Sequence, residues 1–85
     1  MAFITKFSRA IVDHGKRHTE CECGWSMAAR NGAVVLQLDT YGSSSRASAP
    51  KVSQSLQIDE AGAEQLLRVI RSVFPRLKVP GEADR

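Results

Sequence analysis

The sequence predicts an α+β domain: a four-stranded antiparallel meander sheet followed by one C-terminal helix packed on one of its faces, in the order β-β-β-β-α. Three observations carry this reading. Residues 21–41 alternate apolar and polar side chains on either side of an Asn31-Gly32 pair, residues 52–58 alternate again, and from Ala63 the apolar positions switch to helical spacing. One sheet face is thereby apolar and lies under the helix. The other is polar and open, and function is sought there.

Residues 3–12 fit two patterns. Ile4, Phe7 and Ile11 match a helix face, whereas Phe3, Thr5, Phe7 and Ile11 match a strand face. The strand is favoured because Asp13-His14-Gly15 follows, with glycine in the left-handed third position of a common hairpin closure. That hairpin would set Phe7 beside Cys21, Phe3 beside Trp25, and Lys6 against Glu22 on the polar side.

The second strand has Cys21, Cys23, Trp25, Met27 and Ala29 on one face and Glu22, Gly24, Ser26 and Ala28 on the other. Asn31-Gly32 suits a two-residue type I′ turn, since both residues tolerate positive φ. The turn then fixes the register: Ala29 opposite Val34, Met27 opposite Leu36, Trp25 opposite Leu38 and Cys23 opposite Thr40. A slip of one residue would send Trp25 and Leu38 to opposite sides. In the fourth strand Val52, Gln54, Leu56 and Ile58 share a face, and Ser53, Ser55 and Gln57 the other. Its register on the third strand is left open.

Asp59 suits the helix N-cap, where its carboxylate accepts from free backbone N–H groups, and Glu60 complements the positive end of the helix. Leu66, Leu67, Ile70, Val73 and Phe74 form the apolar stripe, Gly62 weakens the first turn, and Pro75 ends the helix. Residues 1–77 are read as a single domain and residues 78–85 as a disordered tail.

The chain has 85 residues, of which 42% are hydrophobic and 25% charged, with a net charge of +3. A domain of this size buries only about 60% of its unfolded surface, so dimerisation would help it. The sequence pI near 9.2 permits contact with nucleic acid without requiring it. No apolar run approaches the roughly 20 residues of a membrane span, and Lys6 and Arg9 interrupt the start, so a cytoplasmic protein without membrane contact is expected. Cys21 and Cys23 are the only cysteines. Two apart on a strand, their Cα atoms stand about 6.5–7 Å from each other, at the limit for a disulfide, so reduced thiols buried in the core are expected.

His14, His18, Cys21 and Cys23 invite a zinc reading, but cysteines alternating with Glu20 and Glu22 on one strand do not form a finger corner. No metal or cofactor is expected. Nor is catalysis: the histidines flank the first turn, far from the serines of residues 43–45, which lack the glycine pattern of a phosphate cradle. Glu20 and Glu22 pair with Lys6 in this reading.

Residues 42–51 make a loop longer than the usual hairpin connection and carry Arg46 and Lys51 among hydroxyls, with Tyr41 at the entrance. Cations and hydroxyls suit phosphate oxygens, and the phenol ring suits a stacked base. The candidate nucleic-acid-binding residues are Arg30, Tyr41, Ser43, Arg46, Lys51 and Ser53. Against them, the centre of the open face collects Glu20, Glu22 and Asp39, which suits a protein partner.

The segments Leu36-Gln37-Leu38-Asp39-Thr40-Tyr41 and Lys51-Val52-Ser53-Gln54-Ser55-Leu56-Gln57-Ile58-Asp59-Glu60 follow one another as strand, basic loop, strand and acid-capped helix. In this order residues 19–74 resemble the single-stranded-DNA-binding domain of the transcriptional positive cofactor four family and, more distantly, the Whirly proteins. The resemblance implies a homodimer that binds single strands along its β-face. Residues 38–46 and 51–57 also resemble segments of small uncharacterised bacterial and phage-borne proteins, which implies no activity. The function expected is a non-enzymatic module for single-stranded nucleic acid. The alternative is a protein-interaction module, an adaptor or a mobile-element-encoded inhibitor, using the same open face and the 42–51 loop.

Overall fold

A computed structural model of the chain describes residues 1–11, 15–42 and 51–78. It is an α+β structure with a four-stranded sheet and one helix after the strands: β1 (Ala2–Ile4), β2 (Cys23–Arg30), β3 (Ala33–Tyr41), β4 (Val52–Ile58) and α1 (Glu60–Val73). The sheet order is β1-β4-β3-β2. No described helix is long and apolar enough to cross a membrane. The proposed turn at Asp13-His14, most of the 42–51 loop, and the tail beyond Lys78 lie outside the described residues.

The β2–β3 hairpin follows from its turn. Asn31 has φ 51° and Gly32 φ 81°, the two positive values of a type I′ corner, and the expected pairs Ala29↔Val34, Met27↔Leu36, Trp25↔Leu38 and Cys23↔Thr40 all form. β4 pairs antiparallel with β3 through Leu36↔Ile58, Leu38↔Leu56 and Thr40↔Gln54, then shifts to Tyr41↔Val52. Ser53 is the extra residue of this bulge.

The first strand departs from expectation. Instead of a long strand paired with β2 in a meander, β1 is three residues long and runs parallel to β4, with Ala2↔Leu56, Phe3↔Gln57 and Ile4↔Ile58. The sheet is therefore mixed, and β1 and β2 are its opposite edges. Phe3 does not reach Trp25, and Lys6 cannot face Glu22 across two intervening strands. The physical reason lies downstream. Residues 5–7 leave the sheet and run beside α1, where the Gln65 amide grips their backbone: its Oε1 accepts from Phe7 N at 3.0 Å and its Nε2 donates to Thr5 O at 3.2 Å.

Asp59 caps α1 as expected, accepting from Gly62 N at 2.8 Å. Gly62 weakens the turn but has a reason to be there. A Cβ at this buried position would stand 3.3 Å from Ile58 Cβ and 3.4 Å from Ile4 O, so glycine lets the helix start close against β4 and β1. The helix closes at Phe74, whose N donates to Ile70 O at 2.8 Å, directly before Pro75.

Seated at this edge, α1 covers the apolar side of the sheet at Ile58 and leaves its β2 part open. Trp25, Met27 and Val34 remain 72%, 73% and 66% exposed. Among the described residues the fully buried apolar side chains are Val35 and Ile58. Cys21 and Cys23, expected in the core, are exposed free thiols, because Cys21 precedes β2 and Cys23 opens it at the uncovered edge.

Candidate binding site on the polar side of the sheet

Strand alternation and register place the polar side chains in rows. Ser26, Gln37, Gln57 and Phe3 lie side by side across β2, β3, β4 and β1, and Gly24, Asp39 and Ser55 form the next row. Their side chains bond to one another. Gln57 Nε2 donates to Gln37 Oε1 at 2.7 Å, Gln37 Nε2 donates to both oxygens of Asp39 at 3.2 and 3.1 Å, and Ser55 Oγ donates to Asp39 Oδ1 at 2.6 Å. The carboxylate thus receives hydrogen bonds from two neighbouring strand positions, and the amides are held in fixed orientation.

At one end of this floor Arg30 stacks on Phe3, its guanidinium carbon 3.9 Å from the ring centroid. Met1, Ala2, Phe3, Arg30, Gln37, Ser55 and Gln57 enclose a cleft of about 320 Å³. At the other end Tyr41 lies against Gly24. A Cβ there would come within 2.6 Å of the phenol oxygen and 3.1 Å of the ring, so the glycine gives the tyrosine its bed.

Of the six candidate residues, Tyr41 and Lys51 flank the loop base, where Gly42 N donates to Lys51 O at 3.0 Å and Lys51 is exposed. Arg30 belongs to the far end, about 26 Å away by strand length. Ser53 is diverted by the bulge: its hydroxyl meets Thr40 Oγ1 at 3.0 Å, and Thr40 belongs to the series of Leu36 and Leu38 on the apolar side. Ser43 and Arg46 lie outside the described residues.

Of the acidic residues expected at the centre, Asp39 lies in the bonded floor. Glu22 precedes β2 and contributes a backbone carbonyl, which accepts from Tyr41 N at 3.2 Å, and Lys6 belongs to the segment beyond the opposite edge. The amide pair Gln37 and Gln57 and the Arg30–Phe3 stack were missed by sequence reasoning. Gln37 and Gln57 were visible as polar members of alternating strands, but their pairing required the β3–β4 register, and Phe3 required the parallel β1. Among the described residues no group of three or more His, Cys, Asp or Glu side chains is placed to hold a metal ion. Comparison with protein families, curated proteins and solved structures returns no match.

Proposed function

We propose that the chain is a non-enzymatic binding module whose polar sheet side takes single-stranded nucleic acid. The observation that carries this reading is the oriented Gln57–Gln37–Asp39–Ser55 floor, set between an aromatic–cation pair at one end and the Tyr41 ring at the other. Amides suit the edges of unpaired bases, ring faces suit stacking, and cations spaced along the sheet suit successive phosphates. This agrees with the resemblance to the positive cofactor four family.

Fluorescence anisotropy with labelled single-stranded and duplex oligonucleotides, at low and moderate salt, tests it. The double variant Arg30→Ala with Lys51→Ala is expected to weaken single-strand binding and to lower the salt slope by roughly 0.7 for each lost phosphate contact. An unchanged slope, or no binding by the parent chain at low salt, overturns the reading.

Asp39 favours the second reading, a protein-interaction module using the same face and the 42–51 loop, because a carboxylate repels phosphates but accepts from peptide N–H groups or basic side chains. Asp39→Asn separates the two. Tighter oligonucleotide binding, by a few fold at low salt, supports the nucleic-acid reading; no oligonucleotide binding by either form favours a protein ligand.

A further inference from the structure

We propose that the cleft between α1 and the amino-terminal strap, residues 5–9, binds a small amphipathic anion: an aliphatic carboxylate with its head between Arg9 and Arg68 and its chain on Phe7, Val69 and Val73. The cleft shares no residue with the polar floor of the sheet. Loss of nucleic-acid binding would therefore leave the proposal standing.

The cleft follows from the helix and the segment held beside it. Arg68 and Ser72, and Val69 and Val73, are pairs four apart on α1, so they share one helix face, with Gln65 one turn earlier on it. Gln65 is the residue that holds Thr5 and Phe7 by their backbone. Pinned there, the strap continues as a second wall through Arg9, and the two walls enclose about 560 Å³. Small-molecule sites typically measure ~300–1,000 Å³.

Its chemistry is divided. Phe7, Val69 and Val73 give an apolar floor, and the two valines remain 40% and 62% exposed, so the chain itself leaves this surface uncovered. Arg9 and Arg68 bring one guanidinium from each wall, and among the described residues the lining includes no carboxylate to answer them. Glu64, one turn before Arg68, is outside the lining, and residues 65–78 hold Arg68, Arg71, Arg76 and Lys78 with no acid. An anion is the complement.

Guanidinium groups from two sides suit the two oxygens of a carboxylate, and the Ser72 hydroxyl adds a donor. Inorganic phosphate would leave the apolar floor bare. The helix also sets the direction of binding: its carboxyl end, at Val73, carries partial negative charge, so the head sits at Arg68 in mid-helix and the chain points toward Val73.

Decanoate is the probe, used below its micelle-forming concentration, with calorimetry and backbone amide shifts read on the full chain. Saturable binding in the sub-millimolar range is expected, with shifts at Ser8, Arg9, Val69 and Val73 and none at the side-chain amides of Gln37 and Gln57. Decanol keeps the chain without the charge, and hexanoate keeps the charge on a shorter chain; each is expected to bind at least roughly tenfold more weakly. Arg9→Gln with Arg68→Gln, both at exposed positions, is expected to weaken decanoate by a similar factor with helix content retained. No saturable binding, equal affinity for decanoate and decanol, an unchanged double variant, or displacement of decanoate by a single-stranded oligonucleotide overturns the proposal. So does a chain that ignores free decanoate yet cosediments with phosphatidylglycerol vesicles, because the surface would then meet a membrane and not a single amphiphile.

Discussion

The two sides of this sheet are built by the same strands and come to opposite states. On the polar side, Gln37, Asp39, Ser55 and Gln57 bond to one another and are half-buried. On the apolar side, Trp25 and Met27 stand almost three-quarters exposed although a helix with a matching stripe follows β4 directly. Alternation decides which side a residue joins. What covers that side is decided by the helix's seat, and here Gly62 and Gln65 hold α1 to the β1–β4 edge.

The comparison breaks most visibly where the apolar side is closed. Ile58→Ala removes the most deeply buried large side chain, at the junction of β1, β4 and α1, and is expected to cost about 2–4 kcal/mol in denaturant unfolding. A cost below about 1 kcal/mol would mean that α1 and β1 are not anchored there.

A smaller effect tests the polar side. Gly24→Ala puts a methyl group where Tyr41 lies, so the ring must leave its bed; overpacking of this kind costs about 1–2 kcal/mol. The Tyr41 ring resonances should shift, and binding that depends on stacking should fall with them. Unmoved resonances would show that the ring does not rest on β2.

The smallest change in stability belongs to the open apolar side. Trp25→Ala in dilute solution is expected to cost less than about 1 kcal/mol, since the side chain gains little burial within its own chain. A large cost would place Trp25 in the core of the chain and remove the contrast between the two sides.

The hairpin was legible in the sequence because two local signals agree: alternation sets the faces, and Asn31-Gly32 sets the register. The N-cap at Asp59 and the stop before Pro75 are likewise local. The pairing of β1 was not. Its parallel ladder joins residues 2–4 to residues 56–58, so no turn chemistry between them announces it, and three residues are too few for a readable period. The Asp13-His14-Gly15 signal suggested β2 as the neighbour of the first strand, whereas Phe3 and Ile4 pair with β4.

The polar site was half legible. Tyr41 and Lys51 were placed together by the loop they flank, and Gly24, a glycine in mid-strand, was the available hint that a large group lies against β2. Ser53 was misplaced because a bulge inverts the alternation on which its assignment rested. The cysteines were read as core from residue type and parity alone, whereas both are exposed at that end of β2.

The Gln65 clasp touches only a main-chain amide and a main-chain carbonyl of the leading segment. The two bonds are therefore blind to the side chains at positions 5 and 7 so long as position 7 keeps its N–H, and the Phe7 ring adds its own contact surface toward Val69 and Val73 of α1. Proline at 7 is the one residue the clasp rejects, and it would release the amino-terminal strap while leaving the hairpin untouched.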